Sequence, residues 1–336
     1  MVRLKDIAAR AKVSVMTVSK ALRNAKDISP QTRERLQALA AQMGYVPNTA
    51  ASGLRTHSTR LFGLIISAMT NPLFARVIMA IEERAHEMGY ELLIAHSLNN
   101  PSREETCIRR MLARRVEGLF IFPAYRPQEQ SAVYDELLAR GVPTVILGPK
   151  AAFCARFHNV ETNDLAASQA LTRLLLELGH KRIAFFAGPA VSPWAIERFE
   201  GYRRALREAS LDVDDALVFN AGATIEEGAT AALQMVQENP KATAVQAVND
   251  LVAIGATETL LKQGLRVPQD LSVVGFGNVL VSEHFRVPLT TVRQPKYRLG
   301  VAAVETIRKL IAGESPPPQR LSAEIVQRES TAPPKA

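Results

Sequence analysis

From Leu61 onward, apolar segments of strand length alternate with segments of helical periodicity, and this alternation restricts the fold more than any other feature of the chain. Residues 62–66, 90–95, 118–122 and 143–147 form one series of strand candidates, and residues 182–187, 243–248 and 271–275 form a second. Repeated strand-helix units joined by short turns predict parallel sheets covered on both faces, and two series predict two similar doubly wound subdomains. In such sheets ligands bind outside the carboxyl ends of the strands. A cleft between the subdomains is therefore the expected binding site of the body.

The residues before this body are different in kind. Of 41 basic and 33 acidic residues, 11 and 3 fall at or before Arg60, leaving 30 of each in the body. A small basic head followed by a neutral body points to a polyanionic partner for the head alone, because lysine and arginine release counterions when they meet phosphates. Leu4, Ile7, Ala8 and Ala11 fall at helical spacing, the pattern breaks at Lys12-Val13-Ser14, and Val15, Val18, Ala21 and Leu22 begin a second apolar stripe. Ser14 stands where it can cap that second helix. A third helix is expected to start at Ser29-Pro30, stop at Gly44, and close a three-helix core with Leu36, Leu39, Ala40 and Met43. The expected fold is thus an all-α helix-turn-helix head (1–47), a hinge segment (48–60) and an α/β body (61–336).

On the second helix Val15, Met16, Thr17, Ser19 and Lys20 lie off the buried stripe or at its exposed N-terminal end. A lysine donates to guanine O6 or N7, hydroxyls suit phosphate oxygens, and Val15 and Met16 suit a thymine methyl. For Met16 the alternative is packing within the head.

The run K-D-I-A-A-R-A-x-V-S-x-x-T-V-S-K-A-L from Lys5, I-S-x-x-T-R from Ile28 and G-Y-V-P-N from Gly44 resemble the LacI/GalR family of bacterial transcription regulators. The resemblance extends through N-P-L-F at Asn71, L-G-H-K-R-I-A at Leu178, R-F-E-G at Arg198, N-D at Asn249 and V-P-Q-D-L-S-V-V-G-F at Val267. It implies a homodimer that docks on a pseudo-palindromic operator in double-stranded DNA, with Val15, Met16 and Lys20 at base-reading positions and Thr17, Ser19, Thr32 and Arg33 facing phosphates. It also implies a hinge over N-T-A-A-S-G-L, from Asn48 to Leu54, with Leu54 wedged between base steps of the minor groove. Gly53 departs from the common hinge pattern, and Arg3 replaces the usual threonine cap of the first helix.

For the body the resemblance implies two subdomains of periplasmic-binding-protein type with a small-molecule effector between them. Phe74, Arg198, Asn249 and Asp250 match effector contacts, and Gly277 replaces an acidic one; for Arg198 the alternative is an interdomain salt bridge. Ala68, Thr162 and Ala223 also depart from common pocket residues. With carboxylates lost and Arg198 kept, the expectation is a carbohydrate-type effector with an anionic group, a sugar acid or sugar phosphate. A regulator that answers to a protein co-repressor, or to no effector, is the alternative.

Catalytic and cofactor signatures are missing: there is no G-x-x-x-x-G-K-[ST], H-E-x-x-H or G-x-S-x-G, and Gly275-x-Gly277 lacks the third glycine of a dinucleotide fingerprint. An enzyme, a resident cofactor and a metal are therefore not expected. Cys107 and Cys154 have neither zinc nor disulfide spacing, and no apolar run is long enough to span a membrane, so a cytoplasmic protein is expected.

Overall fold

The computed structural model describes residues 2–46 and 58–335, so the hinge residues Asn48, Gly53 and Leu54 lie outside the described residues. The chain divides into a head, up to Thr59, and a body from Arg60.

The head contains α1 (Leu4–Ala11), α2 (Val15–Leu22) and α3 (Pro30–Gln42). Ile7, Ala8, Val18, Ala21, Leu36 and Ala40 form its core, and partly buried Leu39 and Met43 pack against it. Ser14 caps α2 by accepting the N–H of Thr17 at 3.0 Å, and Ser29 caps α3 by accepting that of Thr32 at 3.3 Å. Arg3 gives α1 no side-chain cap; instead Asp6, in the first turn, accepts the Arg3 N–H at 2.8 Å. Helix α3 ends two residues before Gly44, whose φ of +69° turns the chain away.

The body has two six-stranded sheets. Sheet A contains β1 (Leu61–Ile66), β2 (Glu91–His96), β3 (Gly118–Ile121), β4 (Thr144–Leu147), β5 (His158–Thr162) and β11 (Gln319–Leu321), in the order β11-β5-β4-β3-β1-β2. Sheet B contains β6 (Ile183–Ala187), β7 (Val218–Asn220), β8 (Ala244–Ala247), β9 (Ser272–Gly277), β10 (Thr290–Arg293) and β12 (Glu324–Val326), in the order β12-β10-β9-β8-β6-β7. All neighbours are parallel except β12, which runs antiparallel to β10. The central strands are buried throughout, as strands covered on both faces must be.

Helices α4 (Leu73–Glu87), α5 (Pro101–Ala113) and α6 (Ala132–Ala139) belong to sheet A, and α8 (Pro193–Glu208), α9 (Ile225–Glu238), α10 (Asp250–Lys262) and the short α11 (Leu280–His284) to the half of the chain that builds sheet B. The two remaining helices change sides. After β5, α7 (Asp164–Glu177) packs on α8, β10 and β12; after β10, α12 (Lys296–Ile311) packs on α4 and beneath β3, β4 and β5. The chain thus crosses between the subdomains at residues 162–164, 293–296 and 321–324. The α9–α10 crossing is close because Gly255 lies against the Ile225 carbonyl, leaving no room for a Cβ.

Candidate functional site

The head presents a short, capped helix with an exposed N-terminal end. Val15 and Met16 are 46% and 63% exposed, so Met16 does not pack within the head. Thr17 is used in the cap, where its Oγ1 lies 2.9 Å from Ser14 Oγ. Ser19 accepts from Arg23 through both its carbonyl (2.9 Å) and its hydroxyl (3.2 Å), and Lys20 is ion-paired with Asp27. Thr32 is the hydroxyl partner of Ser29 at 2.9 Å. Arg33 is half-buried and donates to the carbonyls of Ala25 and Ile28, each at 3.1 Å, so it fastens the loop between α2 and α3.

In the body, a cleft with a volume of about 320 Å³ opens at the carboxyl ends of the strands of both sheets, as the sequence leads one to expect. Sheet A reaches it through Ser67 after β1, Phe122 after β3, Gly148 after β4 and Thr162 in β5. Sheet B reaches it through Pro189 after β6, Asn249 after β8 and Gly277 in β9. All five effector positions inferred from the sequence, Phe74, Arg198, Asn249, Asp250 and Gly277, line this cleft; Thr162 and Ala223 do too.

Their chemistry differs from the expectation in one important respect. Arg198 is buried and donates its Nε (2.9 Å) and one terminal nitrogen (2.6 Å) to the same oxygen of Asp164, and its other terminal nitrogen to the Val248 carbonyl (2.7 Å). Its guanidinium lies 3.8 Å from the ring centre of Phe276 and 4.8 Å from that of Trp194. Asp164 opens α7, which packs on α8, so Arg198 forms a salt bridge within the sheet B subdomain, next to the first crossover, and not the interdomain bridge weighed as its alternative role. Each terminal nitrogen of Arg198 keeps one further N–H for a ligand. Burial raises the Asp164 carboxyl while the Arg198 charge opposes the shift.

A second pair of opposite charges, Asp250 and Lys296, also lines the cleft, each held by other groups. Asp250, the first residue of α10, is buried; its Oδ1 accepts from Thr291 Oγ1 at 2.5 Å and its Oδ2 from the Val279 N–H at 2.8 Å. Lys296, at the second crossover, donates to the carbonyls of Gly277 and Asn278 at 2.5 and 2.7 Å. Burial lowers its ammonium to about 8, against the pull of Asp250. Gly277 has φ +140°, a conformation suited to glycine, which lets its carbonyl turn toward Lys296. Asn249 caps α10 by accepting the Val252 N–H at 2.8 Å and ties the Ala223 loop by donating to its carbonyl at 3.0 Å.

Among the described residues, the charged groups lining the cleft are two cations, Arg198 and Lys296, and two carboxylates, Asp164 and Asp250. These four charges cancel, whereas the anionic effector was inferred from Arg198 with carboxylates lost elsewhere in the pocket. Sequence reasoning missed Asp164 and Lys296 because each sits at a crossover, distant in sequence from its partner and without a local motif. The remaining walls are largely apolar, with aliphatic and proline side chains beside five aromatic ones: Phe74 packs edge-on against Phe122 at 4.7 Å, and Tyr125, Trp194 and Phe276 also line the cleft. Hydrogen-bonding side chains at its margins include Ser67, Asn71, Asn99, Ser192 and Gln294.

One wall rests on a buried ion pair. Glu104 on α5 is fully buried and accepts the N–H of Ala124 at 2.5 Å and the hydroxyl of Tyr134 at 3.1 Å, and it is paired with Arg126. Arg126 in turn donates to the Ala124 carbonyl at 3.2 Å and lies 4.8 Å from the Phe153 ring centre. Both polar sides of Ala124 are thereby held, and its neighbours Pro123 and Tyr125 face the cleft. Tyr125 is fixed further by donating to the Pro149 carbonyl at 2.6 Å.

Neither unit carries an assembly suited to metal chemistry: among the described residues no group of three or more His, Cys, Asp or Glu side chains is placed to hold a metal ion. No described helix is long and apolar enough to cross a membrane. Cys107 and Cys154 are free and buried.

Comparison with known proteins agrees with this architecture. Residues 3–48 match the family described as bacterial regulatory proteins, lacI family, and residues 172–331 match the periplasmic binding protein-like domain. The chain is 31% identical to the HTH-type transcriptional repressor CytR of Escherichia coli (strain K12), over 93% of this chain and 90% of the relative. It is 29% identical to the HTH-type transcriptional repressor PurR of Vibrio atlanticus, over 98% of each. Among solved structures, a lac repressor dimer bound to operator and the anti-inducer ONPF matches with a TM-score of 0.88 at 28% identity, covering 98% of this chain and 99% of that one. A complex of the transcriptional regulator CelR with cellobiose matches with a TM-score of 0.74 at 29% identity, covering 98% and 100%. Sequence and fold together place the chain in the LacI family of bacterial regulatory proteins, as a DNA-binding transcriptional repressor and not an enzyme.

Proposed function

We propose that this repressor binds a pseudo-palindromic operator as a homodimer and that an uncharged, ring-shaped effector of carbohydrate type, seated in the body cleft, controls its affinity. The observation that carries the reading is the pairing of balanced charge with apolar walls that include five aromatic side chains. A ligand bearing net charge would have to be desolvated in a cleft where Arg198 already has the Asp164 carboxylate and Lys296 is held by the carbonyls of Gly277 and Asn278. A neutral ring instead buries its faces against Phe74, Phe122, Trp194 and Phe276 and offers its polar edge to the margins. The CelR structure, a complex with cellobiose, supports a neutral saccharide.

In the head, Val15, Met16 and Lys20 are assigned to base edges, and Thr17, Ser19 and Thr32 to the sugar-phosphate backbone. Arg33 acts by setting the loop after α2, since its guanidinium is engaged inside the head. The hinge with Asn48 and Leu54 is assigned to the minor groove from sequence alone.

Two experiments test the reading. Selection of binding sites from random duplexes by the full-length chain is expected to return a palindrome. Trp194 is the single tryptophan of the chain and lines the cleft, so its fluorescence reports occupancy directly. Titration with neutral mono- and disaccharides and with nucleosides is expected to yield a saturable change, and titration with the corresponding phosphates and acids a weaker one or none. Saturable binding confined to the charged compounds would overturn the neutral assignment.

A further inference from the structure

The ion pair between Lys20 and Asp27 joins the exposed face of α2 to the loop that follows it, with the two side chains 39% and 57% exposed. That loop is pre-set. The Ala25 N–H bonds to the Lys20 carbonyl at 3.0 Å, the Ile28 N–H to the Ala25 carbonyl at 3.3 Å, and Arg33 holds the carbonyls on either side of Asp27. Asp27 is therefore carried on a fixed support one turn beyond the end of α2. Of the other cations here, Arg23 is bonded back to Ser19 and Arg33 to the loop carbonyls, and Lys26 precedes Asp27 in the chain. Lys20 thus enters any encounter with DNA already facing a carboxylate.

We propose that Asp27 is a specificity-determining residue of the DNA-binding head, acting by holding Lys20 so that its ammonium is productive only opposite a base that offers an acceptor. This rests on the assignment of Lys20 to a base edge. An ammonium has three N–H groups, so it can keep Asp27 and still donate to guanine O6 or N7. Opposite a base that offers no acceptor, the ammonium stays with Asp27, and the carboxylate adds repulsion toward the phosphates and cancels one counterion-releasing charge. Asp27 therefore lowers affinity for non-cognate DNA more than for the operator.

The test measures binding of the full-length chain to the selected palindrome and to a scrambled duplex of equal length, over a salt series. Wild type is compared with Asp27→Ala, Asp27→Glu, Lys20→Ala and the Asp27→Ala/Lys20→Ala double variant. Asp27→Ala is expected to tighten scrambled-duplex binding about two- to fivefold, the range open to an exposed pair, while leaving operator affinity nearly unchanged. Its log-log salt slope on the scrambled duplex should steepen by about 0.9 for each ammonium freed. Asp27→Glu, which keeps the carboxylate, should restore most of the discrimination, and the gain should vanish in the Lys20→Ala background. An equal gain on both duplexes, or an equal gain with and without Lys20, would overturn the proposal, because Asp27 would then act only as a surface anion. If Lys20→Ala leaves operator affinity intact while Asp27→Ala still tightens scrambled binding, the assignment of Lys20 to a base edge fails and takes the proposal with it. If Lys20→Ala weakens operator binding and Asp27→Ala changes nothing, the assignment stands and the proposal alone fails.

Discussion

Replacing Arg126 by methionine removes the cationic half of the buried pair behind the cleft wall and leaves Glu104 fully buried, with only the Ala124 N–H and the Tyr134 hydroxyl to satisfy it. Truncating one member of a buried ion pair costs roughly 3–5 kcal/mol, since a charge is then stranded where water cannot reach it. The contact of Arg126 with the Phe153 ring is lost as well and adds about 1 kcal/mol. Glu104→Gln is milder, because the amide oxygen can still accept from Ala124 and Tyr134. Combining the two changes removes both charges, so the double variant should lose less than the sum of the singles by at least about 1 kcal/mol.

The loss also depends on pH in a fixed direction. Burial already raises the Glu104 carboxyl above its ordinary value, and without Arg126 it rises further. The folded variant then binds the proton more tightly than the unfolded chain, so its stability is greatest at low pH and falls as pH rises through the folded-state value. Urea unfolding of the full-length chain, followed by circular dichroism at pH 6 and pH 8, measures both effects. A loss below about 1 kcal/mol for Arg126→Met, or a double variant that loses the full sum, would refute the reasoning.

Two further outcomes follow from local structure. Ser14→Ala removes the acceptor for the Thr17 N–H and should destabilise the head by about 1 kcal/mol, read from the thermal midpoint of the head; Ser14→Gly should cost less. Lys296 is lowered to about 8, so the unfolded chain binds its proton more tightly than the folded one between that value and its ordinary one. Wild type should then gain stability relative to Lys296→Met as pH rises from 8 to 10, by at most about 1.4 kcal/mol per pH unit, and a flat difference in denaturant titrations would contradict the assigned burial.

The head was legible in the sequence because its signals are local. Ser14 and Ser29 sit three residues before the amides they cap, and the stripes of α1, α2 and α3 recur at helical spacing. The central strands were legible for a similar reason, being unbroken runs such as the buried β3 and β4. Strands β5, β7, β10, β11 and β12 were not, because polar residues interrupt their apolar runs and β7, β11 and β12 are partly exposed. The cleft shows the same division. Phe74, Arg198 and Asn249 stand in recognisable motifs, whereas Asp164 and Lys296 acquire their roles only when the chain crosses between the subdomains. Asp164 lies 34 residues from Arg198, and no periodicity links them. The inference of an anionic effector was drawn without these two residues, and the sign of a pocket depends on every charge that the fold brings to it.

The most direct test of the account is the operator affinity of the full-length chain with and without the saccharide or nucleoside that perturbs Trp194 fluorescence, measured in wild type and in Asp250→Asn. The compound is expected to shift wild-type affinity tenfold or more, the scale of about 1.4 kcal/mol of coupling, and to shift that of Asp250→Asn far less. An equal shift in the variant, or Trp194 saturation with no change in operator binding, would contradict control of the operator through this cleft.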